Sequence, residues 1–188
     1  MILDKIGNAK NYNSYWKNGV LKTISEKLNY SLQGITFGFI PNYGGQLQFS
    51  EDLGNGKKAI TQIQFYVSIL RDVYTIQILE IEESIEYNQM LKMELPLPIL
   101  KEIWVSPENH RYKDLFLSIK SSLEAIIKNP IFLPYRIQQI ELKNIKPPTM
   151  EDKDKYSVGD AFFRKILPLQ RKDATIFGDQ DFEIDKLN

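Results

Sequence analysis

One stretch, Ala59 to Glu83, constrains the fold of this chain more than any other. Residues 63–69 alternate apolar and polar side chains, a period of two that is typical of a strand with one face in a core. Residues 73–81 carry apolar side chains at both parities, which predicts a central strand covered on both faces. The link at 70–72 has no Gly, Pro or Asn, so it is either an irregular turn or the bend of one long strand, and we favour the turn.

Turn signals before this stretch predict further strands. Residues 34–40 and the short alternation at 46–49 are strand candidates, separated by the turn-prone residues 41–45. Asn55-Gly56, a pair that readily adopts positive φ angles, then leads the chain into the central stretch. Strands joined in sequence by short loops predict an antiparallel meander.

The segment after the central stretch is ambiguous. Residues 84–95 are consistent with a short helix or with a further strand, and both alternatives stay open at this point. Pro96 and Pro98 then forbid regular helix between them. Residues 99–105 have a mixed period and are a strand candidate.

Two amphipathic helices are predicted, one on each side of the meander in sequence. Residues 13–30 and 112–127 each place large apolar side chains at helical spacing, and the second run ends at Asn129-Pro130. That second helix begins either at the start signal of residues 106–108 or after His110. The predicted fold class is therefore α+β, with an antiparallel sheet of about four or more strands packed against two amphipathic helices.

Weaker patterns describe the C-terminal part. Residues 134–145 are predicted as a strand, 160–167 as a short helix and 174–177 as a strand. A polar stretch near 146–157 marks a loop or a sub-boundary. The residues beyond it are too few for an independent core, so we predict one domain over residues 1–188.

The balance of charges limits the classes of partner. The chain has 24 basic and 24 acidic residues, so no net field attracts it to nucleic acid or to an anionic membrane, and neither is predicted as a partner. Cysteine is absent, which removes disulfides and thiolate chemistry. The N-terminal residues lack the pattern of an export signal, and the chain has no long apolar run, so we expect a cytoplasmic protein.

Common catalytic motifs are missing from the sequence. His110 is the single histidine, and no G-x-S-x-G segment accompanies it to present a nucleophilic serine. One histidine without cysteine leaves almost no zinc ligands, and the glycines fit no phosphate-binding loop. We therefore assign no catalytic residue, no metal and no cofactor, and the enzyme question stays open.

Carboxylates at the end of the central stretch are the first candidate site. Glu80 and Glu82 share one face of the predicted strand. Paired carboxylates are suited to acid/base chemistry, to a magnesium site or to contact with a partner. The alternative is a solvated strand end, where charge discourages unwanted pairing.

An acidic segment near the C-terminus is the second candidate. Asp179, Asp181, Glu183 and Asp185 would form one acidic face if residues 179–185 were a strand. A calcium loop starts with similar spacing, but it requires glycine at its sixth position and a later glutamate, which this chain lacks. We predict an electrostatic docking surface, with a solvated edge or frayed tail as the alternative.

Tyrosines in polar contexts are a further interface signal. Tyr12, Tyr15, Tyr43 and Tyr156 lie in polar or turn-like segments, and tyrosine is a common interface anchor. Tyr43 and Tyr156 are predicted to contact a protein partner, together with the carboxylates of the two acidic segments.

In size, in its lack of cysteine and in its helix-then-meander layout, the chain resembles the small bacterial immunity proteins that neutralise a cognate toxin. Ile40-Pro41, Tyr43 and Gly44-Gly45 are similar to the Leu-Pro, Tyr and Gly-Gly elements of the SMI1/KNR4-like immunity superfamily, which has a longer spacing between Tyr and the glycines. The resemblance implies a protein-binding module that occludes the active site of a basic toxin domain. Two alternatives are a carboxylate-dependent, metal-assisted hydrolase using Glu80 and Glu82, and a structural subunit of a larger assembly.

Overall fold

The computed structural model describes residues 12–35, 42–143, 156–163 and 174–187. The strands are β1 (Gln33–Gly34), β2 (Asn42–Gly54), β3 (Lys57–Ser68), β4 (Val73–Asn88), β5 (Met93–Trp104), β6 (Ile131–Phe132), β7 (Glu141–Leu142), β8 (Tyr156–Ser157) and β9 (Thr175–Phe177). A π-helical segment (Tyr12–Leu21) continues into α1 (Lys22–Leu28), and it is followed by α2 (Lys113–Ile126), α3 (Tyr135–Gln138), α4 (Val158–Phe162) and a 3₁₀ helix (Ile184–Leu187).

The main sheet confirms the predicted α+β class and its antiparallel meander. Its order is β1-β2-β3-β4-β5-β9, and β1 to β5 are antiparallel neighbours in chain order. β6 joins β4 and β9 joins β5 as short parallel additions. β7 and β8 form a separate two-stranded sheet. The turn at residues 69–72 confirms that two strands, and not one bent strand, make up the central stretch.

The two predicted helices cover one face of the sheet. Their buried side chains meet the inward side chains of β3 and β4, where Phe65, Ile76 and Ile78 are almost completely buried. This apolar cluster supplies most of the hydrophobic stabilisation of the fold. Its buried members are Trp16, Val20, Leu21, Ile24, Leu47, Ile63, Phe65, Val67, Tyr74, Ile76, Ile78, Phe116, Ile119, Leu123, Ile127 and Phe132.

The opposite face of the sheet is mixed. One apolar cluster forms where Leu79 and Ile81 meet Leu100 and Ile103 of the neighbouring strand. Elsewhere on this face, glutamine side chains of adjacent strands hydrogen-bond to one another across β1 to β4: Gln33, Gln46, Gln48, Gln62, Gln64 and Gln77. Mutual amide hydrogen bonds satisfy polar groups that would otherwise be costly to bury.

The turn predicted at residues 41–45 is wrong for the residues described, because Asn42 to Gly45 begin β2. The glycines here are required by packing. A Cβ on Gly45 would lie 2.4 Å from the Phe65 ring and 2.6 Å from Leu21. The turn at Asn55-Gly56 is confirmed, since both residues have positive φ angles of 53° and 72°.

The strand predicted over residues 134–145 is also wrong. Pro134 precedes the short helix α3, and among the described residues 134–143 only Glu141–Leu142 form a strand. The amide of Gln138 donates to the Leu133 carbonyl and to Thr75 Oγ1, which fastens this helical turn to the sheet. Proline at the start of a helical turn is a helix-start signal. The strand prediction followed the imperfect apolar–polar alternation of residues 134–145 and did not use this signal.

Part of the C-terminal prediction lies outside the described residues. The loop near 146–157 falls there except for its last two residues, so the single-domain prediction stays a prediction. The short helix predicted at 160–167 overlaps α4 at residues 160–162, whereas Phe163 is extended and residues 164–167 lie outside the described residues. Ser157 and Asp160 form a reciprocal capping box at the start of α4. Within the part of the chain described, no helix has the length and apolar character needed to cross a membrane.

Candidate functional site

The first predicted site residue, Glu80, lies in a polar cluster at the edge of the helix-covered core. Its Oε1 lies 3.0 Å from His110 Nε2, and its Oε2 accepts a 2.7 Å hydrogen bond from the Thr61 hydroxyl. Arg111 donates to Thr61 Oγ1 at 2.6 Å and lies 3.7 Å from Glu80 Oε1. We name Thr61, Glu80, His110 and Arg111 the Glu80 cluster.

Both ring nitrogens of His110 are engaged within this cluster. The backbone N–H of Tyr112 donates to Nδ1 at 3.1 Å, so we assign the ring proton to Nε2, which donates it to Glu80. The ring is only 8% exposed and lies edge-on to Trp104. A general base needs a free nitrogen within reach of substrate, and this histidine has none. Its contacts fasten the start of α2 to β4.

The carboxylate of Glu80 is stabilised in its charged form. Burial opposes ionisation, but hydrogen bonds from His110 and Thr61 and the charge of Arg111 outweigh it and lower the pKa of Glu80. Glu82 shares the face of Glu80, as predicted, but its two oxygens contact Lys57 at 3.2 Å and Lys101 at 3.9 Å. Each carboxylate therefore has its own cationic partners, and no group of metal-ligating side chains exists among the described residues.

The acidic segment 179–185 is not a strand, which corrects the prediction of one acidic face. Its residues form turns followed by the 3₁₀ helix, and Glu183 has a positive φ of 69°. Phe182 inserts its ring between Phe116 and Phe132, at centroid distances of 6.0 and 5.4 Å. The partly buried Phe182 ring therefore packs against the apolar core from a turn and not from a strand.

The acids of this segment contact the protein's own cations. Asp181 Oδ2 lies 2.9 Å from Arg136, and Glu183 contacts Lys120 at 3.2 Å and Lys186 at 2.7 Å. Asp179 Oδ1 accepts from the backbone N–H of Asp181. Asp185 is exposed in the 3₁₀ helix. The segment is a clamp over the core, held largely by internal pairs.

Lys120 is the centre of this clamp. It is only 6% exposed and contacts Glu124 at 2.6 Å in addition to Glu183. The Tyr74 hydroxyl donates to the same Glu124 carboxylate at 2.7 Å. Burial, followed by this hydrogen bond, raises the pKa of Tyr74. A buried ammonium requires such partners, so these acids serve the fold.

The predicted tyrosine anchors are both occupied inside the protein. Tyr43 stacks on Trp16 at a centroid distance of 5.2 Å, and burial followed by the proximity of Tyr15 raises the pKa of Tyr43. Tyr156 is 7% exposed in β8. Tyr156 is therefore buried and Tyr43 is partly exposed, and their contact with a partner stays a prediction.

An exposed feature instead lies in residues 84–95, which the sequence left open between helix and strand. They form strand, turn and strand. The last pair joining β3 to β4 is Lys57 with Ser84, so residues 85–88 pair only with β5. We name residues 85–96 the arm. At about 3.4 Å per residue, it projects roughly 14 Å beyond β3.

Large apolar side chains are concentrated on the arm and exposed to solvent. Met90 at its tip is 93% exposed, and four others are more than half exposed. We name this set the arm patch: Ile85, Tyr87, Met90, Leu91 and Met93. Exposed apolar residues scattered singly need no explanation, but five of them within residues 85–93 indicate a contact surface.

The outer edge of β5 is protected against strand addition. Between Met93 and Lys101 it pairs with no other strand in the described ranges. Pro96 and Pro98 occupy alternate positions, and proline is tolerated in a strand where its missing N–H points away from the neighbour. The outer edge of β5 therefore lacks two successive outward-pointing backbone N–H donors, and this discourages pairing with the edge of another sheet. A partner would contact the faces and tip of the arm.

The sequence did not predict the arm, because the turn at its tip lacks glycine. Lys92 adopts a positive φ of 51°, and Asn88 Oδ1 accepts from the Leu91 N–H at 2.9 Å to stabilise the turn. The alternation of Ile85 and Tyr87 was the available signal for a strand. No local signal joined Glu80 to the other members of the Glu80 cluster, since the cluster is formed by β3, β4 and the segment before α2.

No known protein-family model matches the chain, and neither a curated protein nor a solved structure does. The described residues show polar clusters that are largely paired within the protein and an apolar arm that is exposed to solvent.

Proposed function

We propose that this protein is a protein-binding module and that the arm patch is its contact surface. The observation that carries the proposal is the exposure of Tyr87, Met90 and Leu91, each more than 60% accessible, at the end of a projecting ribbon. Tyrosine and methionine are enriched in interfaces, and exposed apolar area is removed from water when a partner covers it. Exposed apolar patches that are bordered by polar residues often mark protein contact sites.

Within this class, we propose the immunity role that the helix-then-meander layout implies. The protein would act in the cytoplasm and neutralise a toxin domain by inserting the arm into its active-site cleft. Two features support this role: a chain without cysteine suits a reducing compartment, and a projecting ribbon fits a concave surface better than a flat one.

The test is co-expression with the products of the genes on either side of this chain's gene. We expect one product to inhibit growth when it is expressed alone, to be tolerated with the wild-type protein, and to co-elute with it as a complex of defined stoichiometry. A variant with Tyr87→Ser, Met90→Ser and Leu91→Ser should lose both protection and co-elution. A complex with a product that does not inhibit growth would replace the immunity role with that of a structural subunit.

The matched control removes exposed apolar surface elsewhere. Leu117 lies on α2 and is 37% exposed, so Leu117→Ser changes a similar side chain outside the arm. We expect this variant to protect and to co-elute like the wild type. Equal loss in both variants would show that the effect is on solubility or folding and would remove the support for the arm.

A further inference from the structure

The charges around the arm patch are unbalanced. Residues 51–58 and 82–101 form this end of the sheet and carry six carboxylates and four lysines. Two of the lysines, Lys57 and Lys101, both contact Glu82. The other five carboxylates make no ion pair with a described residue: Glu51, Asp52, Glu83, Glu86 and Glu94.

Two of these acids, Glu86 and Glu94, lie on the arm itself, one on each face. The register places Glu94 opposite Tyr87 and Glu86 opposite Leu95. An apolar centre with a charged rim is the usual anatomy of a protein interface. We infer that the arm enters an apolar cleft whose rim carries lysine or arginine side chains on the partner protein. This inference rests on the protein-binding function proposed above and specifies the partner's surface.

The shape of the arm favours insertion into a cleft of the partner over contact with a flat surface or addition of a partner strand. Beyond Ser84, both faces of the ribbon carry exposed apolar residues, so a flat partner would cover only one face. The prolines on the outer edge disfavour addition of a partner strand. A cleft covers both faces and the tip together.

The acidic charge of the arm favours a basic protein partner over a second copy of this chain, nucleic acid or anionic lipid. Two copies of the arm packed symmetrically would bring Glu86 and Glu94 of each copy towards those of the other, which is repulsive. Among the described residues, five carboxylates and two lysines (Lys58 and Lys92) at this end make no ion pair, so the excess charge is negative and would repel the phosphates of nucleic acid and anionic lipid. A basic protein surface is the occupant that matches both the apolar centre and the acidic rim.

The experiment measures binding of the neighbouring-gene product that co-elutes in the test above, by kinetic titration at two salt concentrations. The apolar variant is Tyr87→Ser with Met90→Ser and Leu91→Ser, and the charge variant is Glu86→Gln with Glu94→Gln. Glu108→Gln is the charge control, since Glu108 is exposed and outside the arm. Equal thermal midpoints would show that the variants are folded.

We expect the apolar variant to weaken binding at least 100-fold, mainly through faster dissociation. The charge variant should weaken binding about 10-fold, mainly through slower association, and should reduce its salt dependence. Glu108→Gln should change neither rate by more than about twofold.

Four results would overturn the inference. Tight binding by both arm variants would place the contact elsewhere and leave the protein-binding function intact. Loss of binding in the apolar variant without any effect of the charge variant would remove the basic rim. A wild-type dimer that the apolar variant converts to monomer in sedimentation would assign the arm to a second copy. Failure of the wild type to bind any neighbouring-gene product would instead overturn the proposed function and this inference together.

Discussion

The inner part of β4, residues 73–84, and its outer part, residues 85–88, differ in whether apolar side chains are buried and whether carboxylates are paired. Along the inner part, Ile76 and Ile78 are buried, and the carboxylate of Glu80 is held by three side chains. Along the outer part, Ile85 and Tyr87 are exposed, and the carboxylate of Glu86 has no ion pair with a described residue. One continuous strand therefore serves as scaffold at one end and as exposed surface at the other.

The difference follows from what covers the strand. The helices remove the inner part from water, so apolar burial is favourable there and a charge requires partners. Beyond Ser84, β3 ends and the ribbon stands alone, so apolar side chains gain nothing until another surface covers them. Substitutions in the inner part of β4 should therefore change the free energy of unfolding, and substitutions beyond Ser84 should change binding.

The largest expected difference concerns two isoleucines of the same strand. Ile78→Ala should lower the free energy of unfolding by about 3 kcal/mol, because it leaves a cavity at a fully buried site. Ile85→Ala, at a site that is 53% exposed, should change it by less than about 0.5 kcal/mol. Urea denaturation measures both values. Equal effects would contradict the division of β4 into scaffold and exposed surface.

The next comparison concerns two glutamates. Glu80→Gln should destabilise the protein by about 1–2 kcal/mol, because it weakens the hydrogen bonds from His110 and Thr61 and removes the ion pair with Arg111. Glu86→Gln should be neutral within about 0.5 kcal/mol. The same denaturation series decides this point, and a neutral Glu80→Gln would show that the Glu80 cluster contributes little to folding.

Acidification should reduce the difference between wild type and Glu80→Gln. The pKa of Glu80 is lowered in the folded state, so its stabilising contribution is complete above the ordinary value of 4.5 and is lost as pH falls through the lower, folded pKa. Denaturation at several pH values from neutral to acidic would measure the difference. A difference that grew continuously with acidification would contradict this sign.

The smallest expected change in stability comes from the edge prolines. Pro96→Thr with Pro98→Thr should alter the free energy of unfolding by less than about 1 kcal/mol, while restoring outward N–H donors on β5. We expect stronger concentration-dependent association in sedimentation than for wild type. An unchanged sedimentation profile would mean that these prolines do not protect the edge.

Local patterns predicted most of the scaffold. The alternation in β3, the apolar runs of β4 and the helical spacing over α2 each follow from a short window, and each is confirmed. The pattern misled where packing overrode it. Gly44-Gly45 were interpreted as a turn, but they are glycines because Phe65 and Leu21 leave no room for a Cβ at Gly45.

The candidate site was predicted less well than the fold. The acidic alternation after Gly178 suggested a strand face, but Phe182 belongs to the core, and Lys120 and Arg136 take up the acids around it. These cations lie far away in sequence, so no local period reveals them. The arm was left open because a turn with Lys92 at positive φ lacks the usual glycine signal.

By itself, the sequence determined the α+β class, the central hairpin and the second helix, because periodicity records which side chains face a core. It also determined that cysteine chemistry has no place in this protein. Only the tertiary structure decided which acids are paired internally and which apolar residues stay exposed. Pairing and exposure depend on which other elements contact a residue. The partners of Glu80 and Glu183 lie far away in the sequence, and the strand beside β4 ends before it reaches Tyr87.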